Sequence, residues 1–130
     1  MAIESVFPKD GPSPRGAYSP AIRAGDFIFV SGQGPIDPVT DQMSAGDIRH
    51  QTELTLSNMR RILEAGGATL EDVVKCSVFL RDAGEFQQMN EVYARFFGGH
   101  RPARTTVEAK FHVAEMRVEI DCIAYQPKKA

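Results

Sequence analysis

Between Arg117 and Tyr125 the chain alternates so regularly that, as a strand, each side chain has its face assigned. Val118, Ile120, Cys122 and Ala124 fall on one side, and Arg117, Glu119, Asp121, Ile123 and Tyr125 on the other. The first side suits a covering layer of helices. The second mixes carboxylates with Ile and Tyr, as an oligomer surface with a polar site built into it would. Two amphipathic segments can supply the covering layer. Residues 47–65 carry a helical stripe of Leu56, Met59, Ile62 and Leu63, ended by Gly66-Gly67. Asp82 and Glu85 have N-cap spacing for a second helix, whose stripe is Phe86, Met89, Tyr93, Phe96 and Phe97 before Gly98-Gly99.

The remaining segments read as strands. Residues 18–24 and 27–31 join through a tight turn at Gly25-Asp26, and Phe27-Ile28-Phe29-Val30, apolar on both faces, predicts a central strand covered on both sides. In residues 73–80, Val74, Cys76, Val78 and Leu80 are expected to share a face, and residues 104–110 form a further strand. Before residue 18 the prolines Pro8, Pro12 and Pro14 leave an irregular stretch, with a short strand near residues 4–7. The order β, β, α, β, α, β, β predicts an α+β fold with two helices on one face of a single mixed sheet. A chain of 130 residues fits one domain, 1–130.

Composition narrows the function classes. At 42% hydrophobic, 25% charged and net charge −2, the chain reads as an ordinary soluble protein without the basic surface that nucleic acid requires. No apolar run approaches the roughly 20 residues of a membrane span, and the N-terminus lacks the pattern of a secretory signal. Cys76 and Cys122, isolated and inside strands, read as buried free thiols of a reducing cytoplasm. His50, His100 and His112 are scattered, and neither cysteine has a metal-site companion. Neither a phosphate loop nor a nucleophile elbow is present. The remaining vocabulary of Arg, Glu, Tyr, Ser, Thr and Asn suits binding an organic anion and positioning a water without a cofactor.

Arg104 leads that set. Arg101-Pro102-Ala103-Arg104-Thr105-Thr106 opens a strand that puts Arg104, Thr106 and Glu108 on one face. A guanidinium held there can donate two parallel hydrogen bonds to a carboxylate. Arg104 and Glu119 are expected on neighbouring strands, both on the polar face. Plain structural readings stand beside the functional ones: an Arg104–Glu119 ion pair, a core-edge Tyr18, backbone-satisfied hydroxyls at Ser31 and Thr106, and a solvent-facing Asn90.

Taken together, Gly16-Ala17-Tyr18-Ser19-Pro20-Ala21, Val30-Ser31-Gly32-Gln33 with Asp37-Pro38, Asn90-Glu91-Val92-Tyr93, Pro102-Ala103-Arg104-Thr105 and Val118-Glu119-Ile120 resemble the RidA (YjgF) family of enamine/imine deaminases, over residues 3–125. The resemblance implies a chorismate-mutase-like α+β fold, assembled as a homotrimer around a central barrel with sites between subunits. It implies that Arg104 binds the substrate carboxylate and Glu119 positions the attacking water, with Tyr18, Ser31, Gly32, Asn90 and Thr106 lining the cleft. The implied reaction converts 2-aminoacrylate and related 2-imino acids to 2-oxo acids and ammonia, without metal or organic cofactor, nucleic acid or membrane. Three departures bear on substrate choice. Thr106 stands where Cys or Ser is typical, Pro20 where Gln is, and Gly34 where an apolar residue is common. A larger unsaturated amino acid such as 2-aminomuconate is therefore an alternative substrate. A non-catalytic, chaperone-like trimer binding small carboxylates is an alternative role. RNA cleavage, proposed for some relatives, fits the acidic balance poorly.

Overall fold

The computed structural model describes residues 3–127. Eight strands and two helices follow in the order β1 (Ile3–Val6), β2 (Ala21–Ala24), β3 (Phe27–Gln33), β4 (Ile36–Asp37), β5 (Gln42–Met43), α1 (Ile48–Ala65), β6 (Val73–Leu80), α2 (Phe86–Phe97), β7 (Ala103–Glu108) and β8 (Val118–Tyr125). Six of the strands form one sheet in the order β1-β2-β3-β8-β6-β7, and β4 and β5 make a separate small hairpin. Only the β6–β7 pairing is parallel, as expected for a strand–helix–strand crossover through α2. The result is the anticipated α+β architecture, a mixed six-stranded sheet with two helices on one face.

Local chemistry explains the helices. Asp47 caps α1, its side chain accepting from the His50 N–H, and the chain leaves the helix through Gly67 at φ +87°. Leu56, Met59, Ile62 and Leu63 are buried as their spacing predicts. Asp82 accepts from Gly84 N to start a single 3₁₀ turn (Ala83–Glu85) leading into α2. Met89, Tyr93 and Phe97 are buried on α2 as expected, but Phe86 is exposed and Phe96 only half-buried, while Val92 fills the centre of the stripe instead. α1 lies against β3 and β8 and packs beside α2. Ile28, Val30, Cys76, Val78, Leu80, Val118, Ile120, Cys122 and Ala124 meet the helices from the sheet.

Four sequence expectations are corrected. Val74 does not share a face with Cys76: it is exposed, because the β6–β8 register shifts between Val73 and Lys75 and turns Val74 outward. Phe27 and Phe29 are 41% and 44% exposed, so β3 is covered on its helix side alone within one chain. Tyr18 precedes β2 rather than opening it.

The fourth correction matters most for function. β7 and β8 are not neighbours, since β6 lies between them. Arg104 and Glu119 do not share a face either. Arg104 turns toward α2, where it meets Asn90 and Tyr93, whereas Glu119 alternates with the buried Val118 and Ile120 and points to the opposite, helix-free side. Within one chain no ion pair between them is possible.

Candidate functional site

The candidate residues separate into two groups. The first surrounds Glu119. Along β3 the pairing with β8 slips between Val30 and Gln33, so that one extra residue is accommodated around Ser31-Gly32. That irregularity brings Gly32 against the Glu119 carboxylate. A Cβ at Gly32 would lie 2.5 Å from Glu119 Oε2, so the absent side chain is what makes room for the acid. Tyr18, Ser31, Gly32, Arg15 and His112 line the resulting concavity with Glu119, which encloses about 400 Å³.

Glu119 accepts no hydrogen bond from the described residues. Burial raises its pKa above the ordinary 4.5, and the like charge of Asp121 raises it further, partly offset by His112. An unpaired, half-buried carboxylate with a raised pKa beside a concavity has the properties of a general base. Ser31 is less available. Its N–H donates to Pro20 O at 2.9 Å and its hydroxyl to Ser19 O at 2.7 Å, so it ties the loop before β2 to β3. The Tyr18 hydroxyl oxygen accepts from Arg15 N at 3.0 Å.

Arg15 was not singled out in the sequence, and His112 was weighed there only as a metal ligand. Arg15 is held by Asp41, whose carboxylate lies 3.4 Å from Nη1 and also accepts from Ser13 N at 3.0 Å. These contacts hold Asp41's carboxyl below its ordinary pKa, the Ser13 N–H being the larger cause. Asp41, at φ 59°, sits on the β4–β5 turn, and nothing local in the sequence links it to a loop 26 residues earlier.

The second group surrounds Arg104, on the other side of the sheet. Its Nη1 donates to Asn90 Oδ1 at 2.7 Å, and its guanidinium carbon lies 4.7 Å from the Tyr93 ring centre and 5.4 Å from that of Phe86. An amide and two aromatic rings thus fix the guanidinium without neutralising it, since no carboxylate among the described residues pairs with it. Asn90, Tyr93, Arg101 and Arg104 line an open concavity of about 440 Å³. Thr106, two residues along β7, has a buried hydroxyl with no hydrogen-bond partner. The Tyr93 hydroxyl is buried too, approaching the Cys76 thiol without a conventional hydrogen bond, and burial raises the pKa of both, that of Cys76 to about 11.

Among the described residues no cluster of three or more His, Cys, Asp or Glu is placed to hold a metal, and no helix is long and apolar enough to cross a membrane. The arrangement can hold an anion at Arg104 and accept a proton at Glu119.

Comparison with known proteins agrees with the fold and the motif order. The family model described as Endoribonuclease L-PSP matches residues 8–126. A RutC family protein of Pyrococcus abyssi is 47% identical over 97% of this chain and 99% of its own length. Reactive Intermediate Deaminase A, chloroplastic, of Arabidopsis thaliana is 37% identical over 93% of this chain and 65% of its own. Among solved structures, E. coli TdcF with bound serine superposes with a TM-score of 0.88 at 31% identity, covering 95% of this chain and 98% of that one. With the model spanning nearly all of the described residues and full-length relatives at this identity, the chain belongs to the RidA (YjgF) family.

Proposed function

We propose that the protein is a hydrolytic deaminase of 2-enamino and 2-imino acids, acting in a homotrimer whose sites combine Arg104 of one subunit with Glu119 of the next. One observation carries the reading: an uncompensated arginine and an unpaired, pKa-raised carboxylate lie on opposite faces of one sheet. Two strand spacings of about 4.8 Å, roughly 10 Å in all, separate β8, which carries Glu119, from β7, which carries Arg104. In a 2-imino acid the electrophilic carbon is bonded directly to the carboxylate, so its two binding groups must converge within a few ångströms. A single chain cannot bring them together, and a second copy can. The exposed aromatic cluster on the helix-free face supports assembly, with the Phe27 ring centre 5.2 Å from that of Tyr125 and 6.4 Å from that of Phe29, both pairs tilted.

In the mechanism, Arg104 takes the substrate carboxylate with paired hydrogen bonds, held in position by Asn90 and Tyr93. Glu119, as carboxylate, accepts a proton from a water as its oxygen attacks the imine carbon. Glu119 returns that proton to the nitrogen, giving the neutral carbinolamine; the hydroxyl proton then passes through Glu119 to the amine, which departs as ammonia and leaves the 2-oxo acid. The chaperone-free, small-molecule reading also accords with the serine bound in the TdcF relative. A ribonuclease reading is suggested by the family description, but the net charge of −2 offers little to a polyanion.

The test is release of pyruvate and ammonia when a serine dehydratase generates 2-aminoacrylate. Wild-type protein should accelerate it beyond spontaneous hydrolysis. Equal acceleration by Arg104→Ala would remove the assignment.

A further inference from the structure

The concavity at Glu119 has a second, apolar compartment that the reaction itself does not need. Arg15, Tyr18, Gly32, His112 and Glu119 line both spaces, so the two are continuous. Beyond them the wall changes character to Gly34, Ile36, Met43, Val113 and Met116, and the space that these ten residues line together encloses about 240 Å³. A cavity of about 150 Å³ is already enough for benzene.

The compartment is rigidly built. Asn58, fully buried on α1, donates to Gly34 O at 3.2 Å and to Ile36 O at 2.7 Å. Gln51, also fully buried, donates to Glu115 O at 2.8 Å and accepts from Arg117 N at 2.7 Å, holding Met116 between them. Arg81 adds hydrogen bonds of 2.7 Å to Met116 O and to Val113 O. Three polar side chains thus anchor the backbone of both walls while presenting no polar group to the space. Gly34 sets the depth: a Cβ there would lie 2.8 Å from Met116 Sδ.

We infer that this compartment receives the side chain of the substrate, selecting 2-imino acids with bulky apolar substituents, branched aliphatic or thioether, over 2-aminoacrylate, with Gly34 and Val113 as specificity-determining residues. The inference rests on the deaminase reading for the position of the imine carbon at Glu119. With the carboxylate directed to Arg104 and the carbon at Glu119, the substituent is the remaining group to be housed. A methylene group would leave the compartment empty. Each methylene that fills such a pocket changes selectivity about 10-fold or more.

The experiment separates binding from turnover. Calorimetry of wild-type protein should find 4-methyl-2-oxopentanoate bound at least about 10-fold more tightly than pyruvate. Gly34→Val and Val113→Phe, on opposite walls, should each reduce that ratio toward one, circular dichroism confirming that they fold. Imines formed from leucine and from alanine by an amino-acid oxidase should show the same order in kcat/KM. Equal affinities, a preference for pyruvate, or a ratio unmoved in both folded variants would overturn the assignment. Preference for the larger acid without imine hydrolysis would keep the compartment and remove the deaminase, and hydrolysis without preference would do the reverse. Failure of both acids to bind would sink both.

Discussion

If Arg104 and Glu119 act across a subunit boundary, two inactive variants can repair each other. Arg104→Ala removes two hydrogen bonds to a charged group, each contributing about 1.5–3 kcal/mol, or about 10²–10⁴-fold in kcat/KM together. Glu119→Gln removes the base, a loss of about 10²–10⁴-fold. In a cyclic trimer each site takes Arg104 from one subunit and Glu119 from its neighbour. A trimer containing both variants, in either ratio, has one boundary where an intact arginine faces an intact glutamate. Purified mixed trimers should therefore recover about one third of wild-type activity, and an unfractionated equal mixture about one quarter. The variants would be co-expressed with different tags, mixed trimers isolated by sequential affinity steps, and 2-aminoacrylate hydrolysis measured. Mixed trimers no more active than their parents would refute the shared site, because a site within one chain is never repaired by mixing.

Other outcomes follow from the same geometry. Gly32→Ala should place a Cβ where the Glu119 carboxylate now lies, 2.5 Å away, and displacing that base by about 1 Å should lower kcat about 10²-fold with the melting temperature little changed. Because Glu119's folded pKa lies above 4.5, the folded state holds its proton to higher pH than the unfolded chain, and stability falls as pH rises through that folded pKa. Glu119→Gln should accordingly be the more stable protein at pH 7 in urea titrations, with the difference closing below about pH 4, where both states are protonated. Catalysis runs the opposite way, kcat/KM declining as pH falls through the same raised pKa. Phe29→Lys, on the exposed aromatic face, should reduce the mass seen by light scattering from three chains to one; an unchanged mass would exclude this face from the interface.

The sequence made the individual elements legible and left their mutual placement obscure. The α1 stripe, the Asp47 cap and the alternation of β8 follow from 3.6- and 2-residue periods, which are local properties. Alternation orients a side chain relative to its own strand only. Whether Arg104 and Glu119 meet depends on which strand enters the sheet between β7 and β8, and that is fixed by the crossover through α2. Val74 was misplaced for a related reason, since the register shift beside it has no residue signature. The polar residues that anchor the loops were illegible because their partners are distant: Asn58 reaches Gly34 and Ile36, Gln51 reaches 115 and 117, and Arg15 reaches Asp41. The motifs around Tyr18, Gly32 and Arg104 were visible as a set, although each group lies on its own side of the sheet.

The slip in pairing between Val30 and Gln33 has a consequence for how this protein can change. The sheet gains nothing from it, as two ladder positions are given up to lodge one additional residue. Removing one residue between 31 and 33 would let β3 zip evenly against β8, at the expense of the recess against which Glu119 rests. Foldability and chemistry therefore pull in opposite directions at this point. The length of this short segment therefore decides whether the recess beside Glu119 exists, independently of whether the sheet is sound.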